Sequence, residues 1–242
     1  LGLLKINEGR FYDVFINSLG SNKSGELLVE IMTSNPNLKI AYSTDGSDPS
    51  PDSNFYSGAF LYRKNTIVKA VSVKNGSYAG EISEADFTIH KAIGKSINLV
   101  TTPSIKYASG LHEKILLNGV SFTGDYKDGE WLGFEGKDAE FIIDLGDTIR
   151  ISEVSMNFHN KVNDLIHHSN HVIILGSVDG KAFSVIGERK LLKTGRPIVN
   201  VKVSLDSTVR FIKVIAKNQI IPDGFNGAGN PAWIYIDEVQ VN

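Results

Sequence analysis

Apolar and polar residues alternate in short runs along most of this chain, and glycine, proline, asparagine or serine separates the runs. Residues 40–43 form one such run, a turn follows at Asp45-Gly46, and residues 66–73 alternate again. A period of two is typical of a strand with one buried face, and Asp-Gly pairs favour tight turns. No segment of helical length shows a convincing period of 3.6 residues. The pattern therefore predicts an all-β chain.

The runs in the first part of the chain are short and closely spaced, which suits a sandwich of the immunoglobulin or fibronectin type III kind. They cover residues 11–16, 26–31, 40–43, 60–62, 67–73 and 85–89. The sequence motifs before residues 90–95 differ from those after them, and no long linker separates the two parts. We therefore place a domain boundary there and predict domains 1–91 and 92–242.

The second part is equally rich in predicted strands, which fit a jelly roll or a related sandwich. Their runs cover residues 139–146, 149–154, 155–158, 170–177, 198–203, 210–216 and 233–241. Val178-Asp179-Gly180-Lys181 adds a hairpin signal after one of these strands. The predicted fold is thus two β-sandwich domains in series.

Composition narrows the function without identifying it. With 41% hydrophobic and 21% charged residues, the chain can bury a core as an ordinary globular protein does. A net charge of -2, with no basic run interleaved with aromatics, argues against nucleic-acid binding. Cysteine is absent, which excludes disulfides and thiolate metal sites. No apolar run is long enough to insert into a membrane. The chain begins at Leu1 rather than Met, so we expect a piece of a longer protein.

The first predicted sandwich carries a family resemblance. The motifs YSTDGSDPSP at residues 42–51, YSG at 56–58 and TIVKAVSVKNG at 66–76 are similar to a small sandwich near the C-terminus of bacterial β-N-acetylhexosaminidases of the chitobiase type. In those glycosidases the sandwich follows the catalytic barrel. The resemblance implies a non-catalytic region of a bacterial glycoside hydrolase that is periplasmic, secreted or at the cell surface.

The second part resembles the discoidin, or coagulation-factor C-type, domain, a group that includes many carbohydrate-binding modules. The resemblance covers nearly all of residues 95–242 and depends on the order of short motifs. These motifs are Asn118-Gly119, Trp131, FIIDLG at 141–146, ISEVSMNF at 151–158, GSVDGKAF at 176–183, VRFIKVIAKN at 209–218 and IDEVQV at 236–241. The resemblance implies a module that binds glycans.

Modules of this family often hold a calcium ion through loop carbonyls and a few side chains. The matching residues here are Leu117, Asn118 and Thr123 in one loop and Glu238 in the last strand. Calcium prefers several oxygen ligands, which such a loop can supply. The family usually has Asp where this chain has Asn118, so the ligand charge is lower. The alternative is that Asn118-Gly119 is only a turn and Glu238 faces solvent.

Aromatic side chains are the first candidates for contact with a sugar, because sugar rings have apolar faces that stack on aromatic rings. Trp131, Phe225 and Trp233 lie near predicted loops. Large aromatics in a sandwich are at least as often core residues, and this alternative stays open for both tryptophans. Phe225 lies between Asp223-Gly224 and Asn226-Gly227, polar and flexible neighbours that favour an exposed ring.

Hydrogen-bonding side chains for sugar hydroxyls are predicted in the same loops. They are His159, Asn160, His167, Arg196 and Asn226. A His-rich stretch can also indicate zinc, but adjacent His167 and His168 would point to opposite faces of a strand, which is poor geometry for chelation. A sugar-contacting loop is the preferred interpretation, and a solvated loop is the alternative.

The sequence therefore predicts a non-catalytic part of a glycoside hydrolase whose second domain binds a GlcNAc- or galactose-containing glycan. The catalytic barrel of the parent chain would be its other partner. The rival interpretation is that both domains only pack against that barrel and bind no sugar. An independent enzyme is a third interpretation, but paired carboxylates such as Asp237 and Glu238 are neighbours that an extended strand would point to opposite faces.

Overall fold

The computed structural model describes residues 11–20, 25–52, 54–104, 112–120, 126–127 and 130–242 of the 242-residue chain. The described part is built almost entirely of antiparallel strands, and its only helical elements are short 3₁₀ turns. The prediction of an all-β fold is confirmed. The chain divides into two compact units between Ile89 and His90, whereas the sequence placed the boundary after residue 91.

The first unit contains two sheets, one ordered β1-β2-β4 and the other β3-β5-β6 with β7 paired to β5. Its strands are β1 (Val14–Gly20), β2 (Leu27–Thr33), β3 (Lys39–Ser43), β4 (Phe60–Tyr62), β5 (Thr66–Lys74), β6 (Ser77–Tyr78) and β7 (Ser83–Phe87). In β2, Leu27, Val29 and Ile31 are buried while the residues between them are partly exposed. This alternation explains why the period-two pattern located these strands.

The second unit is one seven-stranded antiparallel sheet ordered β12-β11-β13-β10-β14-β9, with β8 paired to β10. Its strands are β8 (Ser96–Leu99), β9 (Leu132–Glu135), β10 (Ala139–His159), β11 (His171–Ser177), β12 (Ser184–Lys190), β13 (Ile198–Lys217) and β14 (Trp233–Val241). A 3₁₀ segment, His112–Leu117, precedes β9. The sequence analysis missed β8, β9 and β12.

Two strands are much longer than the sequence pattern indicated. β10 has 21 residues and β13 has 20, and the two pair along almost their whole length. The register between them shifts between Asp144 and Ile149 and again between Ile151 and Glu153. Such irregularities bend a strand without ending it, so the polar residues that suggested a break lie within one continuous strand.

Most of the second unit's core is aliphatic, but a smaller aromatic cluster lies beside it. Tyr126, Trp131, Ile166 and Tyr235 are all buried there, and Trp233 packs partly against them. Rings of this size contribute a large apolar area to a core. The cluster lies where β10 ends and β14 begins, which is also where three loops meet.

Candidate functional site

Three loops of the second unit lie against one another: residues 160–170 after β10, 191–197 before β13, and 218–232 before β14. The amide of Leu191 donates to the carbonyl of Asn170 at 2.8 Å. Gln219 Nε2 donates to the carbonyl of His168 at 2.7 Å. The 160–170 loop therefore touches both of the others and fixes their positions.

Asn160 holds the 191–197 loop in place. Its side-chain amide donates to the carbonyls of Thr194 at 2.9 Å and Arg196 at 3.0 Å, and its backbone amide donates to Pro197 at 2.7 Å. Asn160 is buried, so these bonds use the donors that the sequence analysis assigned to a sugar. The guanidinium of Arg196 is exposed, and the described residues give it no ion pair or hydrogen bond. Arg196 thus keeps its donors available.

Phe225 projects from a tight turn in the 218–232 loop. The amide of Phe225 donates to the carbonyl of Pro222 at 3.4 Å, and the carbonyl of Phe225 accepts from the amide of Ala228 at 3.2 Å. Gly227 has a φ of +77°, and a Cβ there would lie 2.7 Å from Leu165 Cδ2. Only glycine allows the turn to pack this closely on the 160–170 loop. Phe225 remains 42% exposed, as an aromatic plate for a sugar would need to be.

His167 lies against the Phe225 ring. The two ring centroids are 5.7 Å apart with an interplanar angle of 87°, so the contact is edge to face. The backbone amide of His167 donates to the carbonyl of Trp233 at 3.0 Å. Its Nε2 is buried, and no hydrogen-bond partner for it occurs among the described residues. His167 as a whole is only 5% exposed, so it supports the Phe225 ring from below.

Burial is the main cause that lowers the pKa of His167 below its ordinary value, and the nearby charges of His168 and Lys193 act in the same direction. A desolvated imidazole resists protonation because the charged form loses its hydration. His167 is therefore neutral at pH 7.

His159 and Trp131 lie beneath this surface rather than on it. The His159 ring contacts Tyr126 at 5.3 Å and Trp131 at 5.2 Å, both edge to face. Trp131 is 0% exposed. A ring without exposed surface has no face for a sugar to stack on, so the structure assigns Trp131 to the core, the alternative that the sequence left open. His159 belongs to the same buried layer.

Trp233 is half-buried, and its ring stacks on Tyr235 with centroids 5.8 Å apart and planes 25° from parallel. Its backbone joins the 160–170 loop on both sides, through its amide to Leu165 and its carbonyl to His167. Asn226, beside Phe225, is exposed. The structure thus places Arg196, Phe225 and Asn226 in exposed positions on neighbouring loops, with His167, Asn160 and Trp233 supporting these loops from below.

The predicted calcium residues form a different cluster. Glu238 is buried in β14 rather than exposed: Oε1 accepts from His90 Nε2 at 2.5 Å and Oε2 from the amide of Asn118 at 3.0 Å. Asn118 Oδ1 accepts from the amide of Val120 at 2.9 Å. The carbonyl of Leu117 accepts from the amide of Gly94 at 3.1 Å. Thr123 lies outside the described residues.

These oxygens are of the kind that calcium prefers, so the donor set suits the ion chemically. Each of them already accepts a hydrogen bond from the protein, and an ion would have to replace some of these bonds. Within the described ranges, no three His, Cys, Asp or Glu side chains are placed to hold a metal. Calcium at this position remains a prediction.

The buried pair of His90 and Glu238 was not foreseen, because His90 was considered only as part of a domain boundary. His90 Nδ1 accepts from the amide of Ala92 at 3.2 Å, so its Nε2 carries the hydrogen that Glu238 accepts. Burial raises the pKa of Glu238, while the bonds from His90, Gly119 and Asn118 oppose the increase. The partners are 148 positions apart, and no local sequence signal links them.

The other histidines of this stretch serve local structure. His168 Nδ1 bonds to the carbonyl of Ser169 at 2.7 Å, and His171 Nε2 bonds to Glu188 at 2.8 Å on the neighbouring strand. Each of these two rings therefore has its own partner.

Comparison with known proteins gives one family match. Residues 20–84 match the model of the chitobiase/beta-hexosaminidase C-terminal domain family, which agrees with the resemblance seen in the first part of the chain. The match covers about a quarter of the chain. No curated protein matches it significantly.

Solved structures similar to the chain include a fucose-binding module of Streptococcus pneumoniae, at 13% identity over 63% of this chain and 96% of that one, with a TM-score of 0.42. The lectin domain of lectinolysin complexed with Lewis B antigen has 18% identity over 63% and 95%, with a TM-score of 0.43. The C-terminal domain of a chitobiase from Bacteroides fragilis has 23% identity over 60% and 92%, with a TM-score of 0.38. At these scores the similarities assign no ligand or activity to this chain. Separately, the described helical segments include none with the length and apolarity needed to cross a membrane.

Proposed function

We propose that the second unit is a discoidin-like module that binds glycan, and that the whole chain is a non-catalytic accessory part of a glycoside hydrolase. The family match of residues 20–84 supports the accessory role, since that family is named for the C-terminal domain of such enzymes. The parent enzyme would be a bacterial β-N-acetylhexosaminidase that is secreted, periplasmic or at the cell surface. Binding would raise the effective concentration of substrate near its catalytic barrel.

The observation that supports binding best is the exposed ring of Phe225. A sugar offers hydroxyls along its rim and apolar C–H groups on its face. The Phe225 ring is 42% exposed and suits the face. Arg196 and Asn226 are exposed on the same set of loops and offer donors and acceptors to the hydroxyls. His167 is buried and packs edge to face against the Phe225 ring, so it helps to hold that ring in place.

The rival function is purely structural, with both units packing on a barrel and binding no sugar. It does not need an exposed aromatic ring held by a glycine turn. A glycan array carrying GlcNAc- and galactose-terminated structures tests the two directly. Binding of a defined glycan set supports the module, whereas a blank array supports the structural role.

The decisive variant is Phe225→Ala. A Phe side chain offers roughly 200 Å² of surface, so its exposed 42% amounts to roughly 80 Å². At about 25 cal/mol per Å², covering that area contributes about 2 kcal/mol, which is about 30-fold in affinity. Phe55→Ala is the matched control, because Phe55 is 39% exposed in the first unit. If Phe225→Ala binds glycan as tightly as Phe55→Ala does, the site is wrong.

A further inference from the structure

A polar depression lies beside the His167–Phe225 contact. It measures about 580 Å³, within the range of small-ligand sites, and the three loops of the candidate site line it. Its lining residues include Asn170, Lys193, Gln219, Ile220 and Asp223. Its continuity with the candidate site follows from its lining: Pro222, whose carbonyl accepts from the amide of Phe225, and Asp223 both belong to the turn that carries Phe225.

The polar groups of this depression are available to a ligand. Lys193 and Asp223 are both exposed, and the ion pairs of the described chain include neither of them. The side chain of Asn170 is exposed and makes no hydrogen bond within the described ranges. Gln219 donates its side-chain amide to the carbonyl of His168, and its side-chain oxygen accepts no hydrogen bond among the described residues. The wall therefore offers both donors and acceptors.

The charges of the lining decide which ligand fits. A carboxylate or sulfate would be attracted by Lys193 but repelled by Asp223. An ammonium group would be attracted by Asp223 but repelled by Lys193. An uncharged sugar has hydroxyls that donate to Asp223 and accept from Lys193, so it satisfies both. Ile220, which is 59% exposed, adds apolar surface for a ring face.

We infer that the module recognises two or more linked neutral sugars, with the terminal unit on Phe225 and the next unit in the depression lined by Lys193 and Asp223. This inference rests on the proposed function, because it extends the same site. It assigns to Asn170, Lys193 and Asp223 the role of a second subsite.

The test compares short and long ligands by isothermal titration of the whole chain. The probes are galactose against N-acetyllactosamine, and N-acetylglucosamine against triacetylchitotriose. For the pair that binds, the longer probe is expected to bind about tenfold tighter, since a few new hydrogen bonds contribute about 1 kcal/mol net each and some of the gain is lost in ordering the ligand. The double variant Lys193→Ala/Asp223→Ala should bring that ratio to within twofold of one. Lys181→Ala/Asp52→Ala, which changes exposed residues of turns elsewhere, should leave the ratio intact.

The outcomes separate the two proposals. Absence of binding to all four probes, together with a blank array, overturns the glycan module itself. Equal affinity for short and long probes in the unmodified chain overturns only the second subsite. The second subsite is also overturned if the double variant keeps the full ratio of long-probe to short-probe affinity, or if a uronate- or sulfate-bearing disaccharide binds more tightly than the neutral one.

Discussion

Replacing Glu238 with alanine would remove the acceptor of three buried donors in the second unit. These are His90 Nε2, at 2.5 Å, and the backbone amides of Asn118, at 3.0 Å, and Gly119. Both Glu238 and His90 have fully buried side chains. A small residue at position 238 cannot replace these bonds, and the donors would be left unpaired away from water.

The cost can be estimated from that count. Each buried donor left without an acceptor costs about 1–3 kcal/mol, so removing the acceptor of three donors costs at least about 3 kcal/mol. We therefore expect Glu238→Ala to lower the free energy of unfolding by about 3–5 kcal/mol. Glu188→Ala is the control, because Glu188 also pairs with a histidine but its side chain is 57% exposed. An exposed pair contributes about 0–1 kcal/mol.

Urea unfolding followed by tryptophan fluorescence measures this change. The chain has two tryptophans, Trp131 and Trp233, and both lie in the second unit, so the signal reports that unit alone. A cycle with His90→Ala and the double variant isolates the coupling between the two side chains, expected at about 1–3 kcal/mol. If Glu238→Ala costs no more than Glu188→Ala, the buried network does not stabilise the unit and the reasoning is refuted.

Three further predictions concern calcium, pH and catalysis. Millimolar calcium should raise the Tm of the second unit and EDTA should reverse the shift, because a ligand that binds only the native state stabilises it; identical melting curves would contradict the calcium site. Because burial lowers the pKa of His167, the unfolded chain binds a proton at higher pH than the native one, so stability should fall as pH drops from 7 to 5; His167→Phe should show a smaller fall, and parallel pH profiles would argue against this. The chain should not hydrolyse an aryl β-N-acetylhexosaminide, because Asp237, one of its adjacent carboxylates, is bonded to Asn157; turnover above that of a heat-inactivated sample would contradict the accessory role.

Strand positions were predictable where one face is buried and the other is not. β4 at Phe60–Tyr62 and β14 at Trp233–Val241 have the predicted bounds: β4 alternates partly buried and exposed residues, and β14 is buried along most of its length. β12 was missed because it lies at the edge of the sheet and its residues are mostly exposed. Period-two patterning carries information only about strands that face a core.

The candidate site was predictable in its loops but not in the role of each side chain. The polar, glycine-rich neighbours of Phe225 correctly indicated an exposed ring. Nothing local distinguishes Trp131, which is buried, from an exposed tryptophan, because apart from Tyr126 the surrounding cluster comes from residues distant in sequence, such as Ile166 and Tyr235. The same holds for Asn160, whose bonds to Thr194 and Arg196 span more than thirty positions. Side-chain roles depend on long-range packing, which periodicity does not encode.

The polar side chains of the candidate site fall into two groups: some are hydrogen-bonded within the protein and hold the loops, and others are exposed and available to a ligand. Asn160 and Ser169 use their side chains on backbone carbonyls of neighbouring loops and strands. Those bonds order the loops before any ligand binds, which reduces the conformational entropy lost on binding. Arg196, Lys193 and Asp223 lie on the same loops with their charged groups exposed. This arrangement favours the binding of a polar ligand such as a glycan, because little of the binding free energy is then needed to order the protein.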